Sequence, residues 1–146
     1  MDKKLILFFG VTDDANTTYR WSQALNAHSD KYQARVVVLQ AHPFGYDEDI
    51  VWNPQDEEQT ALVHSLFKEC ALFSMSCLNE IVHSFLIPTD VVYYNMPVQY
   101  QTLGKLIKNK PKMVRHHGTF YRHNWMRADR IDLEAKIDAR FIGPDL

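Results

Sequence analysis

Apolar positions along this chain follow two rhythms, and the alternation between them sets the expected fold. Residues 4–9 contain the unbroken run Leu5-Ile6-Leu7-Phe8-Phe9, which predicts a strand buried on both faces. A polar loop over 10–16 follows, with Asn16 or Thr17 as the expected helix N-cap. Trp21, Ala24, Leu25 and His28 then recur at helical spacing. The β-branched run over 35–39 predicts a second strand, and residues 40–54 predict a long loop punctuated by Pro43, Gly45 and Pro54.

Asp56 with Gln59 makes a capping-box-like start, and Glu57 and Glu58 suit the first turn of a helix. Beyond it, Leu62, Val63, Leu66, Phe67, Cys70, Phe73, Cys77, Leu78, Ile81, Val82 and Phe85 keep a helical period up to Pro88. The spacing predicts one long helix, or two with a break near residues 74–76. A third strand is expected over 90–94, a helix around Tyr100, Leu103, Leu106 and Ile107, and a strand over 112–115. A helix near 131–137 and a short strand over 140–142 complete the reading. Strands alternating with helices predict an α/β, Rossmann-like domain over 1–146, with a parallel sheet covered by helices on both faces.

Composition fits this picture. The chain has 146 residues, 46% of them hydrophobic and 23% charged, as in an ordinary globular domain. No apolar run approaches the ~18 residues of a membrane span. The apolar stretch after Lys3 and Lys4 is too short for a signal peptide and has no cleavage site of small residues. Cys70 and Cys77 would stand about 10 Å apart along a helix axis, too far for a disulfide, and suit a reducing, cytoplasmic setting.

The net charge of −2 conceals an asymmetry. Asp47, Glu48, Asp49, Asp56, Glu57 and Glu58 form an acidic stretch, whereas Lys105, Lys108, Lys110, Lys112, Arg115, Arg122, Arg127 and Arg130 lie together late in the chain. No nucleic-acid motif accompanies the basic stretch, so it predicts attraction for an anionic ligand and at most a peripheral membrane contact.

Several chemistries are excluded on the residues. The first loop, with Gly10, Thr12, Asp13 and Asp14, has one glycine and two carboxylates, which does not suit a dinucleotide pyrophosphate. A phospho-receiver domain would need an aspartate and a lysine at later strand ends, where this chain has Asn95-Met96-Pro97 and His116-His117. No metal-ligand spacing is present, and both cysteines lie inside an apolar pattern. The reading therefore names no metal and no cofactor.

What remains is the segment Met113-Val114-Arg115-His116-His117-Gly118, a strand that delivers side chains to a cleft. In open α/β sheets, ligands bind beyond the carboxyl ends of the strands. His117 is the candidate cleft residue, Gly118 allows close approach, and Arg122 offers a fixed cation. From the first loop, Gly10, Thr12 and Asp13 complete the candidate set.

Lys110-Pro111-Lys112-Met113-Val114 with His117-Gly118 resembles the segment that closes the N-terminal domain of GT-B, family-4-like glycosyltransferases. The opening strand with Gly10, the strand over 35–39 and the late Arg140-Phe141-Ile142-Gly143-Pro144 align with that domain in order. The resemblance implies an acceptor-side domain of a hexosyltransferase in polysaccharide biosynthesis. It implies a nucleotide-sugar donor, a sugar or glycolipid acceptor and a cytoplasmic or membrane-peripheral location. His117 would be the catalytic residue that contacts the transferred sugar, and Gly10 would lie near the donor phosphates.

Two departures stand beside the resemblance. The family's paired glycines are missing from the first loop, and the sequence stops where the donor-binding domain is expected. The implied protein is inactive alone, and self-association could cover its open half-cleft. The alternative is a non-catalytic Rossmann-like module that binds an anionic ligand or a partner protein.

Overall fold

The structure is a computed structural model and describes residues 2–13, 16–75, 98–116 and 138–142. Its elements are β1 (Lys4–Gly10), α1 (Thr17–His28), β2 (Tyr32–Val38), β3 (Ile50–Val51), α2 (Glu57–Glu69), β4 (Leu72–Met75), α3 (Val98–Leu106), β5 (Lys112–His116) and β6 (Ala139–Ile142). The six strands form one sheet in the order β3-β2-β1-β4-β5-β6, and every neighbouring pair is parallel. This is the strand order of a doubly wound, Rossmann-like α/β fold, as the alternation of elements predicts. Its order reverses between β1 and β4, which makes the gap between their carboxyl ends the topological switch point.

Helices cover both faces, and each covers a different kind of surface. On one face α2 and α3, with Ile107 directly after α3, bring Val63, Leu66, Phe67, Leu103 and Ile107 onto Leu7, Phe9, Val37, Phe73, Met75 and Val114. Phe9, Phe67 and Phe73 meet there with ring centroids 5.1–6.0 Å apart, Phe9 and Phe67 edge to face. On the other face Leu25 of α1 packs against Phe8, Ala34, Val36 and Val38. Because successive strand residues point to opposite faces, the unbroken run in β1 feeds both cores.

The capping-box reading of α2 holds in its first half. Asp56 accepts from the Gln59 N–H at 3.0 Å, while the Gln59 side chain accepts from the Asn53 N–H at 2.8 Å, further back than a capping box requires. The loop expected over 40–54 contains the short strand β3, which pairs Val37 with Ile50 and Val38 with Val51. Asp49 fixes that return, because its carboxylate takes two hydrogen bonds from the Arg35 guanidinium and one from the Val36 N–H.

The expected long helix is corrected. It ends at Glu69, where the Cys70 N–H still donates to Leu66 O, and Ala71 N–H then donates to Leu5 O of β1. Leu72–Met75 continues as a strand between β1 and β5. Leu66, Phe67, Cys70 and Phe73 satisfy a helical period, but Phe73 and Met75 also satisfy a period of two. Short apolar runs do not distinguish the two rhythms, and pairing with β1 decides between them. The expected strand over 90–94, the helix near 131–137 and Cys77 lie outside the described residues.

Candidate binding site at the carboxyl edge

Strand register brings the first loop and the end of β5 to one level. Phe9 pairs with Met75 and Met75 with Val114, so Gly10 and Arg115, one residue further on, share a level at the carboxyl edge. Two strand spacings separate them, about 10 Å. Phe9, Met75 and Val114 belong to the core under α2 and α3, so the positions of Gly10 and Arg115 belong to the α1 face.

The first loop is held by its neighbours. Leu39 N–H donates to Gly10 O at 3.2 Å and to Val11 O at 3.0 Å, and Gln40 N–H donates to Val11 O at 2.8 Å. Thr12 is half-buried, and Asp13 is only 1% exposed. The Asp13 carboxylate turns toward α1, accepting from Thr18 N–H at 2.9 Å and Tyr19 N–H at 2.7 Å. Asn16, one of the two expected caps, occupies the N-cap position in the left-handed conformation at φ 55° and makes no side-chain cap. Asp13 supplies the cap from outside the helix, and its negative charge suits the positive end of the helix dipole.

Sequence reading passed over Arg115 as a site residue. Its side chain is 4% exposed, one Nη donates to Thr18 Oγ1, and the guanidinium carbon stands 5.0 Å from the centre of the Trp21 ring. Trp21, expected to belong to the apolar face of α1, is 40% exposed and serves as one wall for this cation. The buried residues of α1 are instead Thr18 and Ser22, four apart on one helix face. Ser74, between two residues of the opposite core, is also buried. The α1 face is therefore polar where it nears the switch point. Alternation in β5 carried the available signal: Arg115 follows the core residue Val114 and must point to the other face.

The described part of the basic stretch divides in two. Lys110 Nζ donates to Lys68 O and Cys70 O, and Lys112 Nζ donates to Lys108 O and Lys110 O. These ammonium groups satisfy carbonyls at the ends of α2 and α3, at the amino edge of the sheet. Among the described residues the late cations are therefore not one cluster, since Lys110 and Lys112 stand at the amino edge and Arg115 at the carboxyl edge; Arg122, Arg127 and Arg130 lie outside the described residues. Burial lowers the Lys112 pKa, opposed by Asp138. Burial raises the Cys70 thiol pKa, opposed chiefly by Lys110, and its Sγ donates to Phe67 O. A buried thiol held protonated is a poor nucleophile.

Of the sequence-predicted residues, the structure gathers Gly10, Thr12 and Asp13 at the carboxyl edge. His117, Gly118 and Arg122 lie outside the described residues; His117 follows His116, the last residue of β5, in the chain. Among the described residues, no group of three or more His, Cys, Asp or Glu side chains is placed to hold a metal ion. No described helix is long and apolar enough to cross a membrane. Comparison with protein-family models, with curated proteins and with solved structures finds no match, so the Rossmann-like α/β architecture stands on the chain's own geometry.

Proposed function

We propose that the chain is the acceptor-side half of a GT-B, family-4-like glycosyltransferase, which needs a donor-binding domain to transfer sugar. The observation that carries this reading is the register of the sheet, which sets the Gly10 loop level with the end of β5 beside the switch point. Ligands of open α/β sheets sit at that point. In this reading Gly10 admits the phosphates of a nucleotide sugar, the Thr12 hydroxyl borders them, and Arg115 supplies positive charge from the α1 face. His117 and Gly118 meet the sugar, and Arg122 adds a second cation. Asp13 holds the loop on α1 and leaves the ligand to its neighbours.

The second reading is a non-catalytic module that binds an anion at the same edge. The buried Arg115 favours it, since a cation placed there needs no transferase to be useful. An NMR titration with UDP-glucose, glucose 1-phosphate and inorganic phosphate tests both. The glycosyltransferase reading expects shifts at amides 10–12 and 114–116, weak affinity, and at least tenfold weaker binding in His117→Ala and Arg122→Ala. Equal affinity for inorganic phosphate and UDP-glucose would favour the simple anion module. Shifts elsewhere on the sheet, or shifts unchanged in both variants, would overturn the transferase assignment.

A further inference from the structure

The loop from β2 to β3 carries three rings in five residues, His42, Phe44 and Tyr46, and two carboxylates directly after them, Asp47 and Glu48. His42 and Tyr46 stack with centroids 4.5 Å apart at 30°, Phe44 and Tyr46 meet edge to face at 6.0 Å and 86°, and Phe44 lies 5.0 Å from His42 at 58°. Phe44 is nevertheless 78% exposed, the most exposed of the large hydrophobic side chains described. An internal packing role does not account for a phenyl ring that hides so little of itself.

The loop that presents this ring is built by hydrogen bonds. Glu48 Oε1 accepts from His42 N–H at 3.0 Å, His42 Nδ1 accepts from Phe44 N–H at 3.2 Å, and Gly45 N–H donates to His42 O at 3.0 Å. Gly45 takes φ +67°, a conformation that glycine adopts without strain. At its far end the loop is pinned by Asp49 to Arg35 and Val36. At its near end Leu39 and Gln40 are bonded to Gly10 and Val11, so it leaves the sheet beside the first loop.

We infer that the Phe44 ring is a stacking platform for a neutral saccharide. His42 and Tyr46 are half-buried against each other, whereas Phe44, which touches both, keeps most of its ring exposed and offers the open surface. A single open ring suits the flat apolar C–H face of a pyranose, whereas a cation cage needs several ring faces turned on one point. The polar groups around it match sugar hydroxyls: carboxylate oxygens accept, and the His42 ring, accepting at Nδ1, is a donor at Nε2. The acidic residues repel phosphates and anionic membrane surfaces, which makes this site chemically distinct from the Arg115 edge. The inference deepens the proposed function by assigning the acceptor sugar to the β2 side of the carboxyl edge, and rests on that reading only for the name acceptor.

The experiment is an NMR titration of the chain with maltotetraose, cellotetraose and chitotetraose, with tetramethylammonium chloride as the cationic probe. The expected result is movement of the Phe44 ring signals and amides 42–48 with at least one saccharide. Phe44→Ala should weaken that binding at least tenfold while the remaining spectrum stays in place, because the ring is exposed. Silence with all three saccharides, saccharide shifts unaffected by Phe44→Ala, or a response to tetramethylammonium alone would overturn it. A saccharide response here without any UDP-glucose response at amides 10–12 and 114–116 would sink the transferase reading and leave the platform standing.

Discussion

The two faces of the sheet solve opposite problems with the same backbone. Under α2 and α3, aromatic and aliphatic side chains interlock, and Phe67, Phe73, Leu103, Ile107 and Val114 have no exposed surface. Under α1, the apolar cluster stays beside β1 and β2, and the buried groups nearer the switch point are Thr18, Ser22, Ser74 and Arg115. Burying a hydroxyl or a guanidinium stabilises a fold less than burying a phenyl ring, because its water must be replaced bond for bond. A fold that accepts this on one face only has placed its stability on the other. The polar face is the one that opens on the switch point, where a ligand would use its charge and hydroxyls.

That division is broken or sharpened first on the dry face. Phe67→Ala removes a ring held between Phe9 and Phe73 and should lower unfolding free energy by about 3–5 kcal/mol. The loss is read from the urea midpoint. A loss below ~1 kcal/mol would mean that this face does not carry the stability. On the polar face, Asp13→Ala leaves the Thr18 and Tyr19 N–H groups without their acceptor and should cost about 1–2 kcal/mol, measured the same way. Asp13→Asn should recover part of it. Thr18→Val, which deletes one acceptor of the Arg115 guanidinium, should cost about 1–2 kcal/mol. If either polar-face variant costs as much as Phe67→Ala, the contrast between the faces fails.

The smallest effect concerns alkaline pH at the amino edge. The Cys70 pKa is raised in the fold by burial, so its contribution is intact below the unfolded thiol value of about 8.5 and is lost as pH rises toward the folded value. The Lys112 pKa is lowered by burial, so in the window between the folded value and about 10.4 the unfolded chain holds more protons, and stability rises with pH. The two tendencies oppose each other in the wild type. In Cys70→Val, stability between pH 8 and 10 should fall less steeply than in the wild type, or rise. An identical slope in both proteins would show that the thiol is not held protonated.

How much of this was legible in the sequence depends on how local the deciding physics is. β1 and β2 announce themselves by unbroken β-branched and aliphatic runs, and Asp56 marks the start of α2 through its own hydrogen bond three residues on. β4 was hidden, because Phe73 and Met75 fit a helical continuation until the backbone of β1 offers Leu5 O to Ala71. The inner face of α1 was hidden for the opposite reason. Its buried residues are Thr18 and Ser22, which apolar periodicity discards, while Trp21, which it selects, is 40% exposed and borders the buried Arg115 guanidinium. The basic stretch looked like one site because charge in a sequence has no direction. A parallel strand carried Lys112 and Arg115 to opposite edges of the sheet. Gly10 closes β1 and Thr12 and Asp13 follow it in the first loop, but the cap that turns Asp13 inward involves Thr18 and Tyr19, and no spacing rule for an N-cap reaches that far.

The central claim is that the Arg115 cation at the polar edge beside α1 serves binding more than stability. Urea unfolding of the wild type and Arg115→Met, each with and without UDP-glucose, tests it most directly. Ligand that binds only the folded chain raises its stability, by about 2.7 kcal/mol at a concentration one hundred times the dissociation constant. The account predicts that UDP-glucose raises the midpoint of the wild type. It also predicts that Arg115→Met, a swap of similar volume, unfolds within about 1 kcal/mol of the wild type when unliganded and shows no rise. An equal rise in both proteins, or an unliganded Arg115→Met weakened as much as Phe67→Ala, would contradict it.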